Sequence, residues 1–202
     1  MVIAKVELVK PMIPITLNLE TVVKLTPEQF CRLCEANPEA KLEMTSLGEL
    51  VVMSPTGGMS GYRNTKLTHR LENWSEEDGT GIVFDSSTMF KLPNGAFRSP
   101  DAAWILLDRW NQLSLEEQET FPPICPDFVI ELRSKSDSLR SLQEKMQEYI
   151  NNGVQLGFLL NPQGKQVEIY RQGCEKEVLN APEKLSGETV LPGFVLKLDQ
   201  IL

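Results

Sequence analysis

The sequence predicts an α/β protein built on a mixed sheet, and three observations carry that class. Strand-patterned segments precede and follow helix-patterned segments in both halves of the chain, the mark of helices packed on a sheet. Turn signatures join neighbouring strands into hairpins, among them Leu47-Gly48, Pro93-Asn94-Gly95 and the Pro-Gln-Gly-Lys run at 162–165. A chain of 202 residues, 41% hydrophobic and 24% charged, can bury one ordinary core. No repeat or linker-like stretch divides it. The expected organisation is an N-terminal arm over residues 1–25 and a single domain over 26–202.

The elements follow in order. The arm alternates weakly and reads as extended chain or an edge strand. Thr26-Pro27-Glu28-Gln29 starts a helix: Thr supplies the cap, Pro takes the first helical position and Gln can close a capping box. That helix ends near Asn37-Pro38, and two short strands flank Leu47-Gly48. Ser-Pro-Thr-Gly-Gly-Met-Ser-Gly reads as a loop. Leu67, Leu71 and Trp74 then fall at i, i+4 and i+7 of a helix running to Asp78-Gly79. Strands follow at GIVFDS, TMFKL and DAAWILL, and residues 108–120 read as short helical turns. PDFVIEL is almost wholly apolar, as a strand covered on both faces must be. Ser136-Asp137-Ser138 caps the next helix, whose stripe is Leu139, Leu142, Met146, Tyr149 and Ile150 and whose left-handed end is Asn152-Gly153. GFLLN, QVEIYR and short C-terminal runs complete the strands.

Composition excludes several classes. The net charge of −8 opposes indiscriminate coating of nucleic acid, although a local basic groove remains compatible with it. A single histidine, His69, excludes two-histidine zinc sites and paired-histidine catalysis; it reads as a helix-face residue. Cys31 and Cys34 lie within a helical pattern with no partner pair, so the four cysteines read as reduced thiols and the expected compartment is the cytoplasm. No signal-peptide core and no apolar run long enough to span a membrane is present, so no membrane partner is expected.

The informative residues are acids placed where propensity would not put them. Glu131 interrupts the apolar run Phe128–Leu132, and Asp101 opens the apolar strand Ala-Ala-Trp-Ile-Leu-Leu. An ionised carboxylate in such a run is costly unless it is paired or binds a cation. The alternative is that each lies at a strand end and faces water. Lys145 bears on the choice: at about 100° per residue it borders the Leu142/Met146/Tyr149 stripe, so it can set its ammonium over carboxylates of the sheet beneath. Its alternative is snorkelling to solvent. Gln143 borders the opposite edge of the stripe and can offer a neutral hydrogen bond.

These residues occur in an order that resembles a known family. Glu43, Gly48-Glu49-Leu50-Val51-Val52-Met53-Ser54-Pro55, Ser99-Pro100-Asp101, Pro126-Asp127-Phe128-Val129-Ile130-Glu131-Leu132-Arg133-Ser134 and Gln143-x-Lys145-Met146-x-x-Tyr149 closely resemble the Uma2 family of the PD-(D/E)XK nuclease superfamily, over about residues 24–198. The resemblance implies a restriction-endonuclease-like core, a mixed central β-sheet flanked by α-helices. It matches Asp101 and Glu131 to the metal-binding acids, Glu43 to an early acid, Lys145 to the family lysine and Gln143 to its glutamine. Where the superfamily usually has its lysine, two residues after the second acid, Arg133 stands. Where many relatives carry a histidine after the Ser-Pro pair, Tyr62 and Arg63 stand.

The implied function is a Mg²⁺-dependent endonuclease hydrolysing DNA, with Mn²⁺ as a substitute ion. Its catalytic residues would be Asp101, Glu131, Lys145 and Glu43, with Asp101 and Glu131 as metal ligands and Gln143, Arg133 and Arg63 binding substrate. The residue types suit that chemistry, since hard oxygen ligands hold Mg²⁺ and a nearby cation offsets phosphoryl charge. Lys66, Arg70, Arg98 and Lys135 join Arg63 and Arg133 as candidate phosphate contacts. The rival is a non-catalytic nucleic-acid or protein-binding module that retains the fold. A glycosidase-type carboxylate pair leaves Lys145 unexplained and lacks an aromatic sugar platform. A homodimer is expected, because apolar arm residues Ile13, Ile15 and Leu17 can pair with a second copy and two sites simplify cutting of a duplex.

Overall fold

The computed structural model describes residues 15–17 and 24–202. β1 (Ile15–Leu17) lies antiparallel to β3 at a sheet edge; Ile13 and the remainder of 1–23 lie outside the described residues. α1 (Pro27–Ala36) begins as its sequence dictates. Thr26 Oγ1 accepts from the Gln29 amide and Gln29 Oε1 accepts from the Thr26 amide, closing the capping box. β2 (Leu42–Met44) and β3 (Leu50–Val52) form the hairpin around Gly48, whose φ of +81° is open to glycine.

α2 (Gly58–Asp78) starts inside the segment expected to be a loop, a correction to the sequence reading. Gly58 and Gly61 take ordinary backbone angles, and the Gly61 amide donates to the Gly57 carbonyl at 3.0 Å. Leu67 and Leu71 anchor the helix in the core, and propagation by one more turn costs far less than nucleation. Gly79 ends it in the left-handed conformation.

β4 (Gly81–Asp85), β5 (Phe90–Lys91), β6 (Phe97–Arg98) and β7 (Ala102–Leu106) follow, then α3 (Leu107–Trp110) and α4 (Leu115–Glu119). β8 (Phe128–Leu132) is buried throughout. α5 (Leu139–Asn151), capped by Ser138, crosses over to β9 (Leu156–Asn161). β10 (Gln166–Arg171), β11 (Glu177–Asn180), β12 (Lys184–Ser186) and β13 (Val195–Lys197) complete the chain.

The strands form a six-stranded mixed sheet in the order β11-β10-β9-β8-β7-β4, a five-stranded sheet in the order β1-β3-β2-β6-β5, and the β12–β13 hairpin. Only β8 and β9 are parallel in the main sheet. Such a pair needs a crossover, which α5 supplies. α2 and the C-terminal hairpin cover one face of the main sheet, and α5 covers the other through Met146, Tyr149 and Ile150. Phe30 and Phe97, their rings 4.8 Å apart, centre a third core under the five-stranded sheet. Ser99-Pro100-Asp101 carries the chain from that sheet, at β6, into the main one, at β7, so the two sheets meet beside Asp101. No described helix is long and apolar enough to cross a membrane.

Close approach fixes one glycine. A Cβ on Gly81 would fall 2.1 Å from the Trp104 ring, which is itself held by a 3.1 Å bond from Nε1 to Ser75 Oγ. Gly81→Ala is therefore expected to destabilise the fold by about 1–3 kcal/mol, as overpacking does, read as a lower urea midpoint.

Candidate active site

Glu131 sits at the fourth position of β8 with its side chain on the α5 face, and only 4% of the residue is exposed. The strand-end alternative, an acid facing bulk water, does not describe it. Its Oε1 accepts from the Tyr149 hydroxyl at 3.0 Å and lies 2.8 Å from the Lys145 ammonium. Lys145 stands one helical turn before Tyr149, so both reach down onto the same carboxylate.

The Lys145 ammonium has three protons and three acceptors. Besides Glu131 it contacts Glu43 Oε1 at 2.8 Å and the Ser99 carbonyl at 3.1 Å. It does not snorkel; the residue is 9% exposed. Glu43, in β2 of the other sheet, accepts also from the Ser99 amide, and its second oxygen pairs with Arg98 at 3.2 Å. Arg98 passes on to Glu148 on α5 at 2.5 Å. Cation and anion thus alternate from Glu131 through Lys145, Glu43 and Arg98 to Glu148, tying α5 to both sheets.

Asp101 stands beside this chain. Its Oδ1 accepts from Asn64 Nδ2 at 2.6 Å and its Oδ2 from the Leu132 amide at 2.8 Å, the peptide that follows Glu131. Burial pushes the Asp101 carboxyl up despite those two donors and the Lys145 charge. Burial also pushes Glu131 up to about 7: the Lys145 charge opposes the shift, but Asp101 and Glu43 reinforce it. Glu43 goes the other way. Its burial is outweighed by Lys145 and Arg98, which hold it below the usual carboxylate range. Lys145 rises, since Glu131 and Glu43 overcome its burial, and it stays protonated across the physiological range.

Two neighbouring carboxylates are therefore short of positive charge. Glu131 Oε2 has no hydrogen-bond partner among the described residues, and each Asp101 oxygen accepts a single bond. Free hard oxygens with unmet charge suit a divalent cation that keeps some of its waters. The Asn64 Oδ1 atom, buried without a partner beside Asp101, is a further acceptor that bound water can satisfy. Among the described residues no three of His, Cys, Asp and Glu cluster as metal ligands, so the donor set rests on these two acids.

The other sequence-predicted residues divide. Arg63 and Arg133 line the cleft that opens over the acids, as does Lys135. Arg63 Nε is buried without a partner, while Arg133 donates to the Asp137 carbonyl and to Asn161. Gln143 does not reach the cleft: it donates to Glu168 Oε1 at 2.6 Å, on β10, two strands away from Glu131. Two residues along a helix are about 200° apart, so Gln143 and Lys145 cannot serve one pocket. Arg98 is spent on Glu43 and Glu148, and Arg70 holds Asp199; neither is a free phosphate contact. Lys66 lies over the Tyr62 ring, and His69 is exposed beside Asn73 on α2. Asn64 and Glu148 carry no signal in the sequence, and Tyr149 reads there only as part of the apolar stripe and of the family motif. Tyr149 offered one signal, a hydroxyl at i+4 from Lys145 inside an otherwise apolar stripe.

The fold has a solved counterpart. It is similar to the crystal structure of a putative nuclease belonging to DUF820 from Anabaena variabilis, with a TM-score of 0.73 at 19% identity over 88% of this chain and 97% of that one. At that identity the likeness establishes the architecture: a nuclease-like α/β fold, with a mixed central sheet flanked by helices. A family model, Uma2, described as "Putative restriction endonuclease", matches residues 27–199. The chain belongs to the Uma2 family. No curated protein matches it.

Proposed function

We propose that this protein is a Mg²⁺-dependent endonuclease that hydrolyses DNA phosphodiester bonds. The observation that carries the reading is the Lys145 ammonium held between Glu131 and Glu43 beside Asp101, at the base of an open cleft. Asp101 and Glu131 would hold the ion, which supplies polarisation of the phosphoryl oxygen and a more acidic water. Lys145 remains a cation and so acts by charge and hydrogen bonding, orienting the attacking water or offsetting charge on the phosphoryl oxygens. Glu43 fixes the ammonium in place, and Arg98 fixes Glu43. Arg63 and Arg133, at the cleft wall, bind phosphate groups of the strand without reading its sequence. A cytoplasmic homodimer, its two sites serving the two strands, completes the proposal.

One observation favours the second reading, a non-catalytic binding module. Every Lys145 proton already has an acceptor, and the cleft is lined by nine carboxylates against six cations. Supercoiled plasmid with Mg²⁺ or Mn²⁺ decides between them. Wild type is expected to nick it, and Asp101→Asn to lose on the order of 10²–10³-fold in rate, the scale of removing one electrostatic contact to a transition state. Equal nicking by both proteins removes Asp101 from the chemistry; no nicking by either favours the binding module.

A further inference from the structure

The cleft creates a problem for any polyanionic substrate. Its lining carries more carboxylates than cations, and two of those cations, Lys145 and Arg98, are committed to buried ion pairs. A metal ion offsets charge at Asp101 and Glu131 only. Arg63 and Arg133 supply only part of the phosphate affinity, so the rest must come from outside the cleft, because it is the number of neutralised phosphates that sets nucleic-acid affinity.

The C-terminal hairpin offers the cations. Lys184 on β12 and Lys197 on β13 are cross-strand partners in register, both exposed on one face of a two-stranded ribbon. Directly opposed side chains in such a pair have Cβ atoms about 4.5–5.5 Å apart, and like charges there repel. Lys165, in the β9–β10 turn, lines the same groove, held against the hairpin approach by the Ala181 amide donating to its carbonyl at 2.6 Å. None of the three forms an ion pair among the described residues. Of the two acids in the groove, Asp199 is taken by Arg70 at 3.1 Å, leaving Glu183. In a chain of net charge −8, three unpaired lysines facing one groove are a local excess of positive charge.

The groove also adjoins the cleft. Pro162 and Gln163 line the cleft at the start of the turn that ends in Lys165, and Gln163 Nε2 donates to the Ser134 carbonyl on the cleft wall. On the other side, the hydroxyl of Tyr62, in the first turns of α2, donates to Gln200 beyond the hairpin at 2.6 Å. A strand leaving the cleft past the β9–β10 turn meets these lysines next.

We propose that Lys165, Lys184 and Lys197 form a phosphate-backbone track that binds the DNA flanking the cleavage cleft. The inference rests on the nuclease reading of the cleft and adds to it the surface that supplies affinity. Covering the opposed lysines with phosphate relieves a repulsion that the free protein otherwise bears.

Fluorescence anisotropy of a labelled 20-base-pair duplex in EDTA, titrated at several KCl concentrations, tests it without cleavage. Each lost phosphate contact reduces the slope of log affinity against log salt by about 0.9. Lys184→Gln/Lys197→Gln is expected to flatten the slope by about two and weaken binding at low salt by about tenfold or more. The charge-matched control Arg32→Gln/Lys91→Gln, on α1 and β5, is expected to change the slope by less than half as much. Thermal melting of the free hairpin variant is expected to match or exceed wild type, since a like-charge pair has gone. The same slope for hairpin variant and control overturns the track while leaving the nuclease intact, if wild type still nicks plasmid. Wild type that neither binds duplex nor nicks plasmid overturns the nuclease reading and the track together.

Discussion

Lys145→Met is expected to cost about 3–5 kcal/mol of stability at pH 8, the scale of stripping one partner from a buried ion pair, and to abolish nicking. Methionine preserves the packing against Tyr149 while leaving Glu131 and Glu43 without the ammonium that both contact at 2.8 Å. The loss has a definite pH dependence. Without Lys145 the folded-state pKa values of both acids move up, so the folded protein binds more protons than the unfolded chain at mildly acidic pH. Stability then rises as pH falls from the raised folded values toward the ordinary carboxylate value of 4.5. Urea midpoints at pH 8 and pH 5.5 are expected to show a variant deficit that shrinks markedly at the lower pH. An equal deficit at both would mean that the lysine acts through packing alone.

The second large effect concerns Glu131. Its carboxyl is held at about 7 in the fold against 4.5 as a model group, so at pH 8 the ionised form is borne at a net cost despite Lys145. Glu131→Gln removes that charge and keeps the shape. In the metal-free protein the variant is expected to be more stable than wild type at pH 8, by up to about 3 kcal/mol. The sign follows from the raised pKa: the penalty on wild type is complete above about 7 and vanishes below 4.5, where the carboxyl is protonated in both states. Addition of Mg²⁺ is expected to reverse the order. At an ion concentration a hundredfold above its dissociation constant wild type is expected to gain about 2.7 kcal/mol, and Glu131→Gln and Asp101→Asn to gain little. Melting curves with EDTA and with Mg²⁺ check both halves. A metal-free Glu131→Gln less stable than wild type at pH 8 would show that the Lys145 pair outweighs burial.

These effects share one cause. The site concentrates four carboxylates and two cations where the two sheets meet, and the structure tolerates the arrangement because each carboxylate accepts at least one hydrogen bond or ion pair. Asp101 and Glu131 are the exceptions in charge balance, and they are the two acids proposed to hold the ion. The alternating chain from Glu131 to Glu148 also fixes the register of α5. Lys145 and Glu148, one turn apart, face Glu43 and Arg98, and displacing the helix by a turn would oppose like charges.

Much of the architecture was legible in the chain because it is local. Thr26 and Gln29 are three residues apart, and their box needs nothing else. The apolar run at 128–132 reads as a doubly covered strand from its composition, and the stripe of α5 follows from helical period. Glu131 stands out because it breaks the apolar rule around it, and Lys145 because its angular position borders a buried stripe. The start of α2 is not legible, since its glycines carry a loop signature that tertiary anchoring of Leu67 and Leu71 overrides. Gln143 shared a motif with Lys145, yet a rotation of about 200° sends it to Glu168 on another strand.

Periodicity, capping and the misfit of an acid in an apolar run are short-range properties, and they sufficed for the α/β class and most of the elements and for marking two acids and a lysine as candidates. Which carboxylate each cation meets was settled only by packing. Glu43 and Lys145 are 102 residues apart, and Arg98 and Glu148 fifty. No local pattern encodes those distances; they arise because burying three apolar cores brings two sheets and one helix to a common edge, where unpaired charge is too costly to leave alone.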